Sequence, residues 1–394
     1  MRKVIFGEHE DNTLRQFDNS LSHGNVAGGV LCADGHYGYS QPVGGVVAYE
    51  NQISPSGVGF DIACGNKAIK TNLKFNDIKD RLPQIMDEIQ KAVPFGVGKK
   101  INQHKKHEIF DNPLWDVFLN IGKHEHDDLL STARSQLGTG GSGNHYVDIL
   151  IDEQTDEVWL GNHFGSRGLG HKTATGFMNL ANNRKFSAKA PRESMDANPI
   201  LLDLNSEVGK MYFDAMTLVG KYAYAGRNIA LNKVLNILEA ESLVEVHNHH
   251  NFAWKETHFG KEYIVVRKGA TPAAPGQLGF VGGSMADISV ILQGVDSEKS
   301  RQAFYSTIHG AGRVMSRTQA AGKMNWKTKK RRGGLVTQNK MDKAIKDYGV
   351  ELRGGGLDES PFVYRNLQDV LDAHKGTIEI LNVLRPVGVS MSGS

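Results

Sequence analysis

The sequence predicts an α+β protein folded as one large intermixed domain, and three observations lead there. Short β-prone pieces and glycine-rich turns fill residues 1–72, helical periodicity dominates the middle, and β-prone runs return near the end. Clusters of cysteine, histidine and glycine recur from residue 32 to 312, so no self-contained half separates from the rest. No fixed-period repeat and no Pro/Ser-rich linker divides the 394 residues into independent units.

Taken in order, VIFG, GGVVAYE and NKAIKTNL within residues 1–72 read as strands between glycine turns. The segment 75–93 then places Ile78, Leu82, Ile85, Met86 and Ile89 at helical spacing, interrupted by Pro83. PLWDVFLNIG (113–122) and HDDLLSTARSQLG (126–138) read as helices, the second stopping at a glycine. The longest helical signal runs from 206 to 238, where Gly226 predicts a break between two helices. EYIVVRKG (262–269) and TIEILNVLRPVGV (377–389) read as strands.

A net charge of +3 is too small to announce a nucleic-acid binder, so any such surface must come from local clustering. Two cysteines, Cys32 and Cys64, exclude a disulfide scaffold and point to a reducing cytosol. No run is apolar enough for a signal peptide or a membrane span, so a cytoplasmic protein with no membrane partner is expected.

Four clusters, three of them rich in glycine, carry groups able to bind metal or phosphate. DGHYGYSQPVGG holds Asp34 and His36, and SPSGVGFDIACGN holds Asp61 and Cys64. GTGGSGNHYVDI holds Asn144 and His145, followed by HFGSRGLGH with His163, Arg167 and His171. VHNHHNF holds His247, His249, His250 and Asn251. Each also has a bland reading: Asp61 as a turn cap, Cys64 as a buried small hydrophobe, His163 as a satisfied core histidine. Three imidazoles within four residues must find partners for six ring nitrogens, in a site or in water. None of the spacings matches a local zinc pattern, so a metal site requires convergence in the fold. If Asp61, Cys64, His145, His163 and His250 converge, a thiolate with imidazoles and a carboxylate suits Mn, Zn or Co rather than Ca or Mg.

In FYSTIHGAGRVMSR (304–317), His309 is followed by three small residues and two arginines, Arg313 and Arg317. Small neighbours admit a large visitor, and the arginines suit an anionic one; a histidine packed in a tight turn is the alternative. The basic run KTKKRRGG (327–334), behind Trp326, reads either as a solvated loop or as a phosphate-backbone contact with a stacking ring.

In their order, DGHYGYSQPVGG, SPSGVGFDIACG, GTGGSGNHYVDI, HFGSRGLGHKTAT, HHNF, RKGATPAAPGQ, GGSM, HGAGRVMSR and LRPVGV resemble the RtcB family of RNA ligases across nearly the whole chain. The resemblance implies mixed and antiparallel sheets flanked by helices in one catalytic domain spanning 1–394. It implies a GTP- and Mn-dependent ligase that joins RNA 2′,3′-cyclic phosphate or 3′-phosphate ends to 5′-hydroxyl ends. His309 would be the guanylylated nucleophile. Asp61, Cys64 and His145 would hold one manganese ion, and Cys64, His163 and His250 a second.

The family match also places Asn144 and Asn251 near the GTP phosphates, with Gly310, Ala311 and Gly312 giving the nucleotide room. Asp148, Ser289, Tyr364 and the GGSM segment (Gly282, Gly283, Ser284, Met285) fall on the guanosine side. Arg167 and Arg313 match RNA contacts, Asp34 an acidic residue the family needs, and an accessory activator protein is a further implied partner. Three departures stand out: NHYVD replaces NHFLE, shortening the acid at Asp148; GGSM replaces PGSM; and VSMSGS stands where the family has Lys-Gly. They raise Lys268 and Lys323 as alternative donors to the base and imply a divergent bacterial paralogue devoted to RNA repair. A metal-dependent phosphohydrolase, opening cyclic phosphates without ligation, is the competing reaction class, and a non-catalytic RNA-binding descendant is a third reading.

Overall fold

The computed structural model describes residues 2–101, 103–190, 194–325 and 330–393. Two large sheets form the frame, with helices packed on them in one α+β domain. The five-stranded sheet runs Arg2–Ile5, Val26–His36, Val43–Tyr49, Lys261–Lys268, Asn251–His258 in spatial order. Its first pair is parallel and the others antiparallel.

The eight-stranded sheet runs Leu278–Gly282, Ser289–Gly294, Ile378–Met391, Tyr146–Asp152, Glu157–Phe164, Gly65–Lys74, Ser242–His249. Its neighbours are antiparallel, and Glu351–Arg353 adds to Ile378–Met391 in parallel. Only His250 separates Ser242–His249 from Asn251–His258, so the chain passes from one sheet to the other across a single residue.

The predicted break at Gly226 does not occur: Glu207–Leu238 is one helix of 32 residues, capped by Ser206, whose hydroxyl accepts from Gly209 N–H. Its first half packs Tyr212, Met216 and Val219 into a core with Leu31, Val47 and Val266 of the five-stranded sheet. Its second half packs Ala230, Leu231 and Val234 into another with Ile69, Val147 and Leu160 of the eight-stranded sheet. Burial along both halves outweighs the ~1 kcal/mol helix penalty of one glycine.

Two further expectations are refined. Residues 1–72 contain a helix, Asp11–Leu21, that buries Phe17 and Leu21; most of its other residues are polar, which hid the period. The segment 75–93 divides into Phe75–Ile78, a tight turn Lys79–Arg81, and the helix Leu82–Ala92. Pro83 lies in the first turn of that last helix, where its missing N–H has no partner to lose. The strands expected at 262–269 and 377–389 are present as Lys261–Lys268 and Ile378–Met391.

Trp326 and Lys327, Thr328 and Lys329 of the basic run lie outside the described residues; Lys330–Arg332 pairs with Lys323–Asn325 as a short antiparallel ladder. No described helix is long and apolar enough to cross a membrane.

Candidate metal centre and catalytic pocket

Strand ends meet at the seam between the sheets. Gly65–Lys74, which starts directly after Cys64, pairs Asn66 with His163 on one side and Gly65 with His249 on the other. Tyr146 faces His163 across the next ladder, which brings the preceding residue, His145, to the same row. His250 follows immediately after His249. Residues scattered from 64 to 250 in the chain thus arrive at one edge of neighbouring strands.

The turn Asp61–Cys64 completes the set. Cys64 N–H donates to Asp61 O at 3.1 Å, and Cys64 O accepts from His250 N–H at 2.8 Å. A Cβ at position 165 would lie 2.2 Å from Asp61 Oδ1, so glycine there leaves room for that carboxylate.

Cys64 Sγ lies 3.5 Å from His163 Nε2 and 3.7 Å from His145 Nε2, and Asp61 Oδ2 lies 3.1 Å from His145 Nε2. On their far sides, His145 Nδ1 donates to Gly140 O at 3.1 Å and His163 Nδ1 to Asn66 Oδ1 at 2.6 Å. With the proton on Nδ1, both rings present a free Nε2 lone pair to the sulfur. Donor atoms around a cation with bonds of about 2.0–2.3 Å fall ~3–4 Å apart, so the set fits a borderline divalent ion. Cys64, His145 and His163 have all their donor atoms within 4.8 Å of one another. His250 stands outside that trio, its ring stacked on His163 at 5.0 Å and edge-on to His309 at 4.8 Å.

The electrostatics suit metal uptake coupled to proton release. Burial, with the Asp61 carboxylate adding, pushes the Cys64 thiol well up, so binding a cation must displace its proton. Burial would raise Asp61 too, but the adjoining His145 ring and the Arg167 charge outweigh it and hold the carboxyl below its usual range. Burial and cationic neighbours keep His163 and His250 well below the usual imidazole value, as the neutral rings a metal requires.

Behind this cluster sits Arg227, fully buried in the long helix. Its guanidinium donates to Ala63 O and Phe164 O, the residues flanking Cys64 and His163, and to His247 Nε2 and His249 Nδ1. The two other histidines of VHNHHNF are therefore partners of an arginine, and only His250 turns toward the cluster. Spacing carried no sign of Asn66 or Arg227.

His309 lies beyond His250. Its Nδ1 donates to Asp34 Oδ2 at 2.6 Å, and the same oxygen accepts the N–H groups of His309 at 3.0 Å and Gly310 at 3.3 Å. Asp34 is fully buried. Burial alone would raise its carboxyl, but the charge and hydrogen bonds of His309 hold it below the usual range. A carboxylate can only accept, so Nδ1 keeps the proton and Nε2 carries the ring's lone pair. Gly312 has a backbone reason to be glycine: φ is 76°, and a Cβ would lie 2.3 Å from Asp34 O.

A cavity of about 310 Å³ joins these parts; its wall includes the cation-site candidates, the 309–313 loop, Gly282–Met285, Asn144, Asp148, Asn251 and Tyr364. Asn251 also ties the site together, its Nδ2 donating to Asp61 O and its Oδ1 accepting Gly269 N–H. Burial pushes the Asp148 carboxyl well above its usual range, and its Oδ1 has no partner among the described residues. Tyr364 OH and Arg313 Nη1 both bond to the buried Glu359, and Arg313 Nη2 donates to Asp358 O.

Three predicted residues are not on that wall. Asp34 is buried against the His309 ring and does not reach the cavity. Ser289 pairs with Gly282 from the strand behind it. Arg167 opens the helix Arg167–Ala181, with its guanidinium toward Thr139 and Gly96. Of the alternative donors, Lys268 lines the cavity but gives its Nζ to the carbonyls of Tyr39 and Gln41. Lys323 is exposed on the short ladder.

This fold and site define a class of protein that sets a buried Asp–His pair beside a cysteine–histidine cluster able to hold a metal ion. The RtcB family, described as tRNA-splicing ligase RtcB, matches residues 18–392, and the chain belongs to it. The RNA-splicing ligase RtcB of Escherichia coli strain K12 is 31% identical, covering 90% of this chain and 87% of its own length. The tRNA-splicing ligase RtcB of Methanococcus maripaludis is 33% identical over 98% of this chain and 93% of its own. That of Archaeoglobus fulgidus is 34% identical over 92% and 87%.

Proposed function

We propose that this chain is a GTP- and Mn-dependent RNA ligase that joins 2′,3′-cyclic phosphate or 3′-phosphate ends to 5′-hydroxyl ends. The observation that carries this reading is the buried Asp34–His309 pair beside the Cys64–His145–His163 trio. The names of the relatives, RNA-splicing and tRNA-splicing ligases, support RNA as the substrate class.

Asp61, Cys64 and His145 would hold one manganese ion and Cys64, His163 and His250 a second; when bound, such ions stabilise negative charge developing on a phosphoryl group. Asp34 keeps the proton on His309 Nδ1, so Nε2 offers its lone pair to the α-phosphorus of GTP. The P–N bond forms as the bond to pyrophosphate breaks, and Asp34 offsets the positive charge left on the ring. Water opens a 2′,3′-cyclic phosphate to the 3′-phosphate, an oxygen of which next displaces His309 to give an RNA-3′-pp-5′-G end; the 5′-hydroxyl oxygen then loses its proton and displaces GMP from it. Asn144 and Asn251 would sit by the phosphates and Asp148, Tyr364 and Gly282–Met285 by the guanosine, with Ser289 supporting Gly282. Arg167 and Arg313 would face RNA.

Incubation with Mn and GTP labelled at the α-phosphate tests the reading. The wild-type chain should take up an acid-labile, base-stable label that His309→Ala lacks; label retained by His309→Ala would overturn it. Running all four nucleoside triphosphates reads the base preference at the shortened acid, Asp148. Two RNA pieces with matching ends should yield a joined product that depends on nucleotide, whereas a phosphohydrolase would only open the cyclic phosphate.

A further inference from the structure

A second cavity, of about 430 Å³, lies against the first and has no part in the scheme above. Val43, Asp61, Asn251 and Lys268 line both cavities, so they form the partition between them. Asp61 is the member that touches the cation cluster, with its Oδ2 3.1 Å from His145 Nε2. Whatever occupies the second cavity therefore lies one side chain away from the reacting centre.

The cavity wall has the chemistry of a nucleobase platform. Tyr39 is half exposed and meets Phe60 edge-on, with ring centroids 6.4 Å apart and planes at 85°. Phe60 is held from behind by His171, stacked at 5.2 Å with planes 22° apart. Met178 adds an apolar, polarisable surface and Thr175 a buried Oγ1 with no hydrogen-bond partner among the described residues. His171, Thr175 and Met178 follow Arg167 at steps of four, four and three, so they share one face of the helix Arg167–Ala181. An aromatic ring stacks any base, and the Thr175 hydroxyl can meet a polar atom on its edge.

We propose that this cavity is a subsite for the terminal nucleoside of an RNA strand, which it holds by stacking on Tyr39, braced edge-on by Phe60, with its end directed past Asp61 toward the cation cluster. The inference rests on the RNA-ligase reading for its substrate class. The same chemistry serves the strand that ends in a 5′-hydroxyl and the strand that ends in a 3′-phosphate.

The test uses the full chain and three oligoribonucleotides carrying a fluorescent purine analogue at the 5′-hydroxyl end, at the 3′-phosphate end, or in the middle. Binding should quench one of the two end probes, and the probe that responds identifies the strand. Tyr39→Ala, at a half-exposed position, and Thr175→Trp, which fills the cavity, should each abolish the quench and weaken that probe about tenfold, the loss of one base–aromatic stack. The internal probe should bind all three proteins alike. If neither end probe weakens in Tyr39→Ala, or if the internal probe weakens equally, the subsite is refuted. Joining of two RNA pieces is scored separately. End-dependent quenching without joining would remove the ligase reading and leave the subsite, and joining without end dependence would do the reverse.

Discussion

Asp34 illustrates how much one buried oxygen can organise. Its Oδ2 accepts from the His309 ring and from two successive backbone N–H groups, so it sets the tautomer of the ring and the path of the loop that carries it. Asp34→Asn keeps the shape but presents either a poorer acceptor or an amide donor to Nδ1–H. Covalent nucleotide labelling should slow by about 10²–10⁴-fold while Mn binding persists, measured by single-turnover labelling and metal titration. Unchanged labelling would remove Asp34 from the machinery.

His374 makes a different residue-scale prediction. It is buried, stacked on Phe6 at 4.1 Å, and its Nε2 accepts the Ala33 N–H at 3.2 Å. Burial holds its imidazole down to about 4, against 6.5 when unfolded. The unfolded chain therefore takes up a proton in a range where the folded one resists it. The associated stability is complete above pH 6.5 and is lost as pH falls toward 4, roughly 3 kcal/mol for this ring alone. Denaturant midpoints across that window should fall less steeply for His374→Asn than for the wild-type chain.

Among the elements, the helix Glu207–Leu238 departs most from its sequence signal. Gly226 lies at its middle, and a Cβ there would meet Phe164 no closer than 3.6 Å, an ordinary contact. Gly226→Ala should therefore stabilise the chain, by about 0.5–1 kcal/mol, through reduced backbone entropy in the unfolded state and better helix propensity. A lower denaturation midpoint would mean that the close neighbours cannot accept a methyl group. The same helix supplies Arg227, whose bonds to Ala63 O and Phe164 O brace the neighbours of Cys64 and His163 against one rigid rod.

For the whole molecule, the decisive feature is the seam. His163 lies in the eight-stranded sheet, Cys64 and His145 stand just before two of its strands, His250 is the bridge, and the next residue begins a strand of the five-stranded sheet. A cation bound there cross-links the two halves of the core, so Mn should raise the melting temperature and a chelator should reverse the effect. At a hundredfold excess over its dissociation constant, the ion adds about 2.7 kcal/mol. Cys64→Ala should abolish the shift, and a wild-type chain indifferent to Mn would argue against the centre.

The local chemistry was legible in the chain itself. Strands such as Lys261–Lys268 and Ile378–Met391 declare themselves by β-branched runs, and the order of the glycine-bracketed motifs carries the family and its ligand candidates. Local spacing could not separate His250 from His247 and His249, because neighbouring residues diverge in direction only once the strand has a sheet on either side. Nor could it reveal that Gly226 lies inside a continuous helix, that Arg227 is buried, or that Asn66 orients His163. Each of these depends on contacts between residues far apart in sequence, and burial across two cores decides them against local propensity.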